Sequence, residues 1–349
     1  MPPPAPSSVR RAATALLCGA SLVAAAAADP VWPQRLTDTG LPLNGEPPAD
    51  IAGFTPQYPL WSDGTLKRRW IRLPAGAAID ASDPDAWRFP PGTQLWKEFA
   101  LGGRKLETRV VERRADGRWH FAAYVWDAAG GDATLAPAEG MTIAVDGAPN
   151  GRYVVPSRKD CLACHGSTRV PVLGFSALQL SPDRDPLVAP RPQRGDVDLR
   201  SLVEGGQLQR LPAALLEAPP RIAADSAVER AALGYLHGNC AHCHNRSEWR
   251  APVRLTLEQS ATDPAASSAA VLRSLVDASS RWRPPGRRDD ARIATPGRPD
   301  DSVLVVRMRT RDARTQMPPL GTDRPDPEGL ALVQRWIEHH LTRSMENAP

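Results

Sequence analysis

The sequence predicts an α+β chain of several domains: an N-terminal antiparallel β-sandwich or barrel, a segment carrying a C-x-x-C-H run, and a C-terminal all-α domain carrying a second such run. Three observations predict it. Alternating apolar and polar stretches separated by turn residues fill positions 52–155. The run Cys161-Leu162-Ala163-Cys164-His165 recurs as Cys240-Ala241-His242-Cys243-His244. After a helix start at Asp326-Pro327-Glu328, the residues Leu330, Val333, Trp336, Ile337 and Leu341 recur at helical spacing along one face.

Length and composition set the bounds. A chain of 349 residues with 42% hydrophobic content can bury cores for two or three domains. Lys and Arg number 43 against 39 Asp and Glu, a net charge of +4. That balance, with no basic run interleaved with aromatics, excludes a nucleic-acid partner from the expectations.

Residues 1–28 have the form of a secretory signal peptide. Arg10-Arg11 precedes an apolar region, Ala12–Ala27, and Ala26-Ala27-Ala28 offers a small-residue cleavage site before Asp29. The apolar region falls short of the roughly 20 residues a spanning helix needs. Export to the periplasm is expected, with the leader either cleaved or kept as an anchor. No later stretch is apolar enough to span a bilayer.

Residues 29–155 form the expected β-rich domain, after a polar lead-in that runs to about Asn44. Lys67–Leu73 is one strand, and Trp87–Leu101 holds one or two more around Pro90-Pro91-Gly92. Leu106–Arg113 and Trp119–Trp126 flank the turn residues Ala115-Asp116-Gly117 as a hairpin, with Trp119, Phe121, Ala123 and Val125 on one face. Met141–Val145 and Arg152–Val155 read as a second hairpin. Trp61, Trp70, Trp87, Trp96, Trp119 and Trp126 supply the core of this domain, or an aromatic cleft within it.

Residues 156–222 carry the first run, then a short apolar stretch at Val172–Leu180, a Pro-, Asp- and Arg-rich linker over 181–198, and a helix over Leu202–Leu216 stopped by Pro219-Pro220. From 223 to 349 the pattern is helical. Ser226 caps a helix through Glu229, Ala232, Leu233 and Leu236 toward the second run, and the Asp326 helix closes the chain.

The cysteines carry the chemistry. Of five, Cys18 falls in the leader, and the other four all lie in the two runs, so none is left for a structural disulfide. In C-x-x-C-H two thiols add across the vinyl groups of a haem, and the adjacent histidine ligates its iron. Cys161, Cys164, Cys240 and Cys243 are thus the expected attachment points of two haems c, with His165 and His244 as iron ligands. For the second haem, Met317 in Gln316-Met317-Pro318-Pro319 is the expected sixth ligand: a thioether favours ferrous iron, and prolines stiffen its loop. For the first haem the sixth ligand is open, with His237, Met141, His120 and Met308 as candidates, or no ligand at all. A four-cysteine zinc site, a thioredoxin-like dithiol and two disulfides are the rival readings; the first leaves both trailing histidines unexplained, and the second lacks its βαβ context.

Other groups read as ordinary. His242 is a variable position of its run, expected to face solvent, and His339-His340 reads as a polar helix face. Asp127, Asp132, Asp160 and Glu248 are scattered carboxylates. Arg281, Arg283, Arg287 and Arg288, ending at Asp289-Asp290, read as a solvated loop, or as a seat for a haem propionate or an acidic partner.

With these residues in view, 223–349 resembles the small class I-like cytochrome c domain of bacterial electron-transfer proteins, through Gly234-Tyr235, the second run, Met317-Pro318-Pro319 and Trp336-Ile337. Tyr235-Leu236-His237 before the run, Pro296-Gly297-Arg298-Pro299 with Ser302 and Leu304, and Tyr58-Pro59-Leu60-Trp61-Ser62-Asp63-Gly64 are similar to stretches of a family of exported bacterial di-haem c-type cytochromes. The resemblance covers most of the chain beyond the leader; its haem motifs are specific and its N-terminal part is looser. It implies haem binding and electron transfer with other redox proteins as donor and acceptor, and names no substrate.

The expected function is therefore single-electron transfer by a periplasmic di-haem c-type cytochrome. One alternative is a di-haem redox enzyme, a peroxidase or small-molecule dehydrogenase, working at an open first haem. Against the peroxidase, that family usually builds each haem into its own cytochrome-like domain, whereas these runs lie close in sequence behind a β-domain. A second alternative makes the β-domain a module that docks the cytochrome on a partner.

Overall fold

The central element is an antiparallel sheet built by the alternating strands. In the computed structural model, residues 1, 31–43, 47–247, 251, 253–284 and 291–341 are described. The predicted leader, Glu248 and the Arg287–Asp290 end of the basic cluster lie outside them. Residues Trp32–Pro349 form one compact unit. Among the described residues no helix is long and apolar enough to cross a membrane.

The strands are β1 (Ile51–Gly53), β2 (Leu66–Arg72), β3 (Ile79–Asp80), β4 (Gln94–Leu101), β5 (Arg104–Arg113), β6 (Trp119–Trp126), β7 (Ala133–Leu135), β8 (Met141–Ala144), β9 (Arg152–Val155) and β10 (Leu208–Gln209). The helices are α1 (Arg158–His165), α2 (Leu199–Glu204), α3 (Ala214–Glu217), α4 (Ala227–Cys240), α5 (Pro264–Leu275), α6 (Val303–Arg309) and α7 (Pro327–His339). Six strands pair in the order β1-β2-β4-β5-β6-β7, while β8–β9 and β3–β10 form separate two-stranded pairs.

The sheet is open, so the barrel form of the prediction is not what the chain builds. Its edges, β1 and β7, do not pair with each other. The reason lies in what covers the faces. On one face Trp70, Trp96, Val110 and Ala122 stand in register and close over Trp32, Leu36 and Leu41 from the lead-in. On the other, Ile71 and Leu95 pack with Val172, Phe175, Leu180, Leu199 and Leu202. Mostly irregular chain thus covers both faces, and it includes residues beside the stretch read as a linker.

The predicted helix over Leu202–Leu216 is also corrected. It breaks into α2, β10 and α3, because Gly205 caps α2 and Gly206 turns at φ 70°. By contrast, Ser226 and Asp326 cap α4 and α7 through their side chains as the pattern implies.

Helices α4 and α7 pack on each other around Leu233, Leu236, Val333, Trp336 and Ile337. Glycines allow the close approach. A Cβ on Gly329 would fall inside the Tyr235 ring, and one on Gly234 inside the Tyr58 ring. Tyr58 therefore inserts the N-terminal part of the chain into α4. The following residues continue the seam: Trp61 N–H donates to Asn239 Oδ1 at 2.7 Å, and the Asp63 carboxylate accepts Asp323 N–H and Arg324 N–H, each at 3.0 Å.

Candidate functional site: two C-x-x-C-H runs beside a cavity

The first run lies in α1, which Ser157 and Asp160 start as a reciprocal capping box. The helix sits over β6, and the His165 ring meets the Phe121 ring at 5.0 Å between centroids. His165 Nδ1 lies 2.5 Å from the Pro171 carbonyl oxygen. A carbonyl can only accept, so Nδ1 carries the proton and Nε2 keeps its lone pair. Thr168 Oγ1 holds the turn between them by donating to Val170 O at 2.8 Å. Burial, with Lys97 and Arg109 nearby, pushes the His165 pKa down to about 4, so the ring is neutral at physiological pH. A fixed, neutral imidazole whose far nitrogen is anchored to a carbonyl is the form a metal-ligating histidine takes.

The second run closes α4. Cys240 O accepts from Cys243 N–H at 3.1 Å and His244 N–H at 2.9 Å, and His244 O accepts from Leu257 N–H at 2.8 Å. His244 is buried, and its Nδ1 has no hydrogen-bond partner. The two runs meet although 79 positions separate their first cysteines. Asn245 Nδ2 and Ser247 Oγ both donate to Ser167 O, at 3.0 and 2.6 Å. The neighbouring Cys243 thiol and then burial push Cys164 up to about 12, while Cys164 lowers Cys243. Burial lifts Cys161 to about 11 and Cys240 to about 12. All four cysteines are free thiols.

Beside the first run opens a cavity of about 670 Å³, within the range of about 300–1,000 Å³ typical of ligand pockets. Cys161, Cys164, His165 and His237 line it; Cys240, Cys243, His244 and Met317 do not. The second run reaches it through Ala241 and His242, and the methionine loop through Pro318 and Leu320. His242 is thus half-buried on the wall beside Cys164, not turned to solvent. His237 Nδ1 accepts Gln259 N–H at 3.2 Å. This holds the ring against the 257–259 segment and leaves Nε2 as its remaining ring nitrogen. The other candidates for a sixth ligand are elsewhere: Met141 is exposed on β8, Met308 is in the α4–α7 core, and His120 faces Asp116 at 3.6 Å.

Met317 is half-buried, and its N–H donates to Arg307 O at 2.9 Å. The Arg307 guanidinium in turn is among the charges that depress His244, after burial, to about 4. Arg307 thus borders both members of the expected His244/Met317 pair. The ordinary groups are locally occupied. Asp127 accepts from Gly131 and Asp132, Asp132 pairs with Arg35 at 2.8 Å, Asp160 serves the capping box, and Arg281, Arg283 and His339 are exposed. Among the tryptophans, Trp70, Trp87, Trp96 and Trp126 are buried, whereas Trp61 is half-buried on the cavity wall.

Sequence reading missed three cations on that wall, Arg69, Lys97 and Arg109. The available signal was a strand pattern with charge on both faces: Lys67, Arg69 and Lys97 alternate with Trp70 and Trp96 at positions where the second face should be apolar.

A haem held through Cys161 and Cys164 would fit the first run, where the oriented His165, the adjoining cavity and the thiols on its wall come together. The second run does not show the same fit: His244 Nδ1 lacks the carbonyl anchor that His165 has, and Cys240, Cys243, His244 and Met317 do not line the cavity. Among the described residues no three or more His, Cys, Asp and Glu side chains gather as a metal-ligand set, and this includes the four cysteines. Comparison with protein-family models, curated proteins and solved structures gives no match to the chain.

Proposed function

We propose that the chain is an exported di-haem c-type cytochrome that passes single electrons, with a cytochrome c-like part around α4 and α7. The observation that carries this reading is the His165–Pro171 hydrogen bond, inside a C-x-x-C-H run, at the mouth of a cavity. Cys161 and Cys164 would hold one haem and Cys240 and Cys243 the other, with His165 and His244 as iron ligands and Met317 as sixth ligand of the second. Such a group, when bound, supplies a one-electron couple at a potential that its ligands and surroundings tune. The chain's own contribution is positional. Pro171 fixes the His165 tautomer, Phe121 supports its ring, and Ser167 ties the first run to the second, so that the two centres would be neighbours. Neighbouring centres with fixed ligands suit transfer that moves few atoms.

A second reading is favoured by the cavity itself. No methionine lines it, and the His237 ring is held by its contact with Gln259, so the first iron would stand open to a small ligand. That geometry suits redox chemistry on a bound molecule.

The deciding experiment counts covalent haem in the purified full chain and records a carbon monoxide difference spectrum of the reduced form. Two haems with no carbon monoxide binding support transfer alone. One haem that takes carbon monoxide moves the open-site reading ahead. No covalent haem overturns both.

A further inference from the structure

Antiparallel strands normally avoid placing like charges opposite one another, since such pairs destabilise a sheet. Here three cations stand in one row. Arg69 of β2 is in register with Lys97 of β4, and Lys97 with Arg109 of β5. The row faces the side of the sheet that carries the cavity, and all three residues line it.

The protein supplies too little negative charge for them. Arg109 alone is matched, by Glu107, at 2.8 and 3.0 Å. Arg69 and Lys97 form no side-chain hydrogen bond or ion pair among the described residues. Asp196, the carboxylate acting on Arg69, already accepts from Thr55 Oγ1 and Gln193 N–H. Lys97 touches only an aromatic face, with Nζ 4.9 Å from the Phe99 ring centre; Arg109 lies 4.3 Å from the same ring. Of the five other acids on the wall, Asp323 lies on the methionine-loop side with Pro318 and Leu320, and four are committed locally. Asp85 holds Ser260, Ala261 and Thr262, Asp63 holds the Asp323 and Arg324 amides, and Asp160 caps α1. Glu258 lies by Arg246 and Arg169. Burial, with Arg69, Lys67 and Arg109 around it, holds the Lys97 pKa well below the ordinary lysine range. Such a group gains most from an arriving negative charge.

We propose that Arg69, Lys97 and Arg109 form a binding site for the carboxylate or oxyanion end of a small ligand in the cavity beside the first C-x-x-C-H run. The row offers the Arg69 fork, the Lys97 amine and the edge of the Arg109 guanidinium that Glu107 leaves free, converging donors suited to a planar or tetrahedral oxyanion. The ligand is either a free anion or the carboxylate of a group already bound in the cavity. The site stands on the sheet register and the cavity, independent of how the cysteines are used.

The test uses the full chain from cells that attach haem c, with haem counted separately. Sodium sulfate and sodium oxalate are titrated calorimetrically at ionic strength balanced with sodium chloride, against wild type, Lys97→Met and Arg69→Met. The expected result is saturable 1:1 binding of at least one probe, weakened at least tenfold in both variants. Lys97→Met should also melt no lower than wild type without anion, because it replaces a buried amine that has no polar partner with an apolar side chain of similar length; a merely structural lysine would lower the melting point. If wild type takes neither probe, Lys97→Met should instead lower the midpoint potential of one haem, which places that haem's own carboxylate on the row. The proposal is overturned if binding survives both substitutions, if neither binding nor potential responds, or if Lys97→Met fails to fold. A chain without haem defeats the proposed function, while the anion titration still judges the row.

Discussion

Among the described residues Glu107 is the carboxylate that pairs directly with the cationic row, and replacing it with glutamine isolates that contribution. Its side chain is 0% exposed, and it accepts both Arg109 contacts and the Tyr153 hydroxyl at 2.7 Å. Glutamine keeps the shape and removes the charge, leaving Arg109 unmatched beside Lys97. Breaking a buried pair from one side costs about 3–5 kcal/mol. The lower end applies, because the Arg109 side chain is 30% exposed and water screens part of the loss. For a unit of roughly 300 residues, an unfolding entropy of about 2.1 cal/mol/K per residue converts about 3 kcal/mol into a fall of roughly 5 °C. Thermal unfolding followed by far-ultraviolet circular dichroism measures it. Tyr153→Phe, which removes only the neutral donor, should cost about 1 kcal/mol. Lys97→Met added to Glu107→Gln should restore part of the loss, because it removes the buried amine facing the unmatched Arg109 across the strands. A Glu107→Gln melting point within about 1 °C of wild type, or a loss no larger than that of Tyr153→Phe, would refute the charge argument.

Three more outcomes follow from contacts described above. Lys67 Nζ donates to Leu60 O at 2.9 Å, and burial followed by the Arg69 charge lowers its pKa from 10.5 to about 7. Between those values the unfolded chain holds a proton the folded one has shed, so unfolding free energy should rise from pH 7 to about 8.5; above that, any cysteine that remains a thiol and then the tyrosines ionise in the unfolded chain, while burial holds Cys161, Cys164, Cys240, Tyr58, Tyr153 and Tyr235 protonated in the folded one, and the trend reverses. Urea titrations across that range should show the rise in wild type and flatten it in Lys67→Met. Gly234→Ala should cost about 2–3 kcal/mol by overpacking against Tyr58, with Tyr58→Leu recovering part of it in a double-mutant cycle. Asn245→Ala removes a buried amide that donates to Ser167 O, Ala241 O and His242 O, and should lower urea stability by about 1–2 kcal/mol. A cost below half of that range would mean water replaces the tie between the two runs.

Local signals were legible in the sequence. The β5–β6 turn, with Asp116 accepting Arg118 N–H at 2.8 Å and Gly117 at φ 77°, forms where Ala115-Asp116-Gly117 stood between alternating strands. The caps at Ser226 and Asp326 form as well, because each depends on residues three positions apart or fewer. What was not legible depended on partners far along the chain. The stretch 29–155 reads as a sandwich or barrel by pattern, yet its second layer is irregular chain from residues 170–202, whose apolar side chains carry no periodicity. His242 reads as exposed within its run; only the meeting of the two runs puts it on the cavity. The cationic row needs the register of three strands, and one strand alone shows only an unusual lysine or arginine. His165 was legible by type, but its Pro171 anchor was not.

The Tyr58 ring and the glycine notch that receives it are made at very different times. Tyr58 leaves the ribosome well before Gly234, and at roughly 5–20 residues per second the interval is roughly 10–35 s. Throughout that interval the β-strands can pair, since their partners lie nearby in sequence, and Tyr58 can meet Gln179 and Asp185, but Trp61 and Asp63 still lack Asn239, Asp323 and Arg324. Completion of α4 therefore acts as a late checkpoint that locks an early segment. A chain cut before α4 would lack the notch at Gly234 and the Asn239, Asp323 and Arg324 partners, so the Trp61–Asp63 end of that segment would be left without its seam. Neither half can be exchanged with a relative as a ready-made part without carrying the other side of this joint.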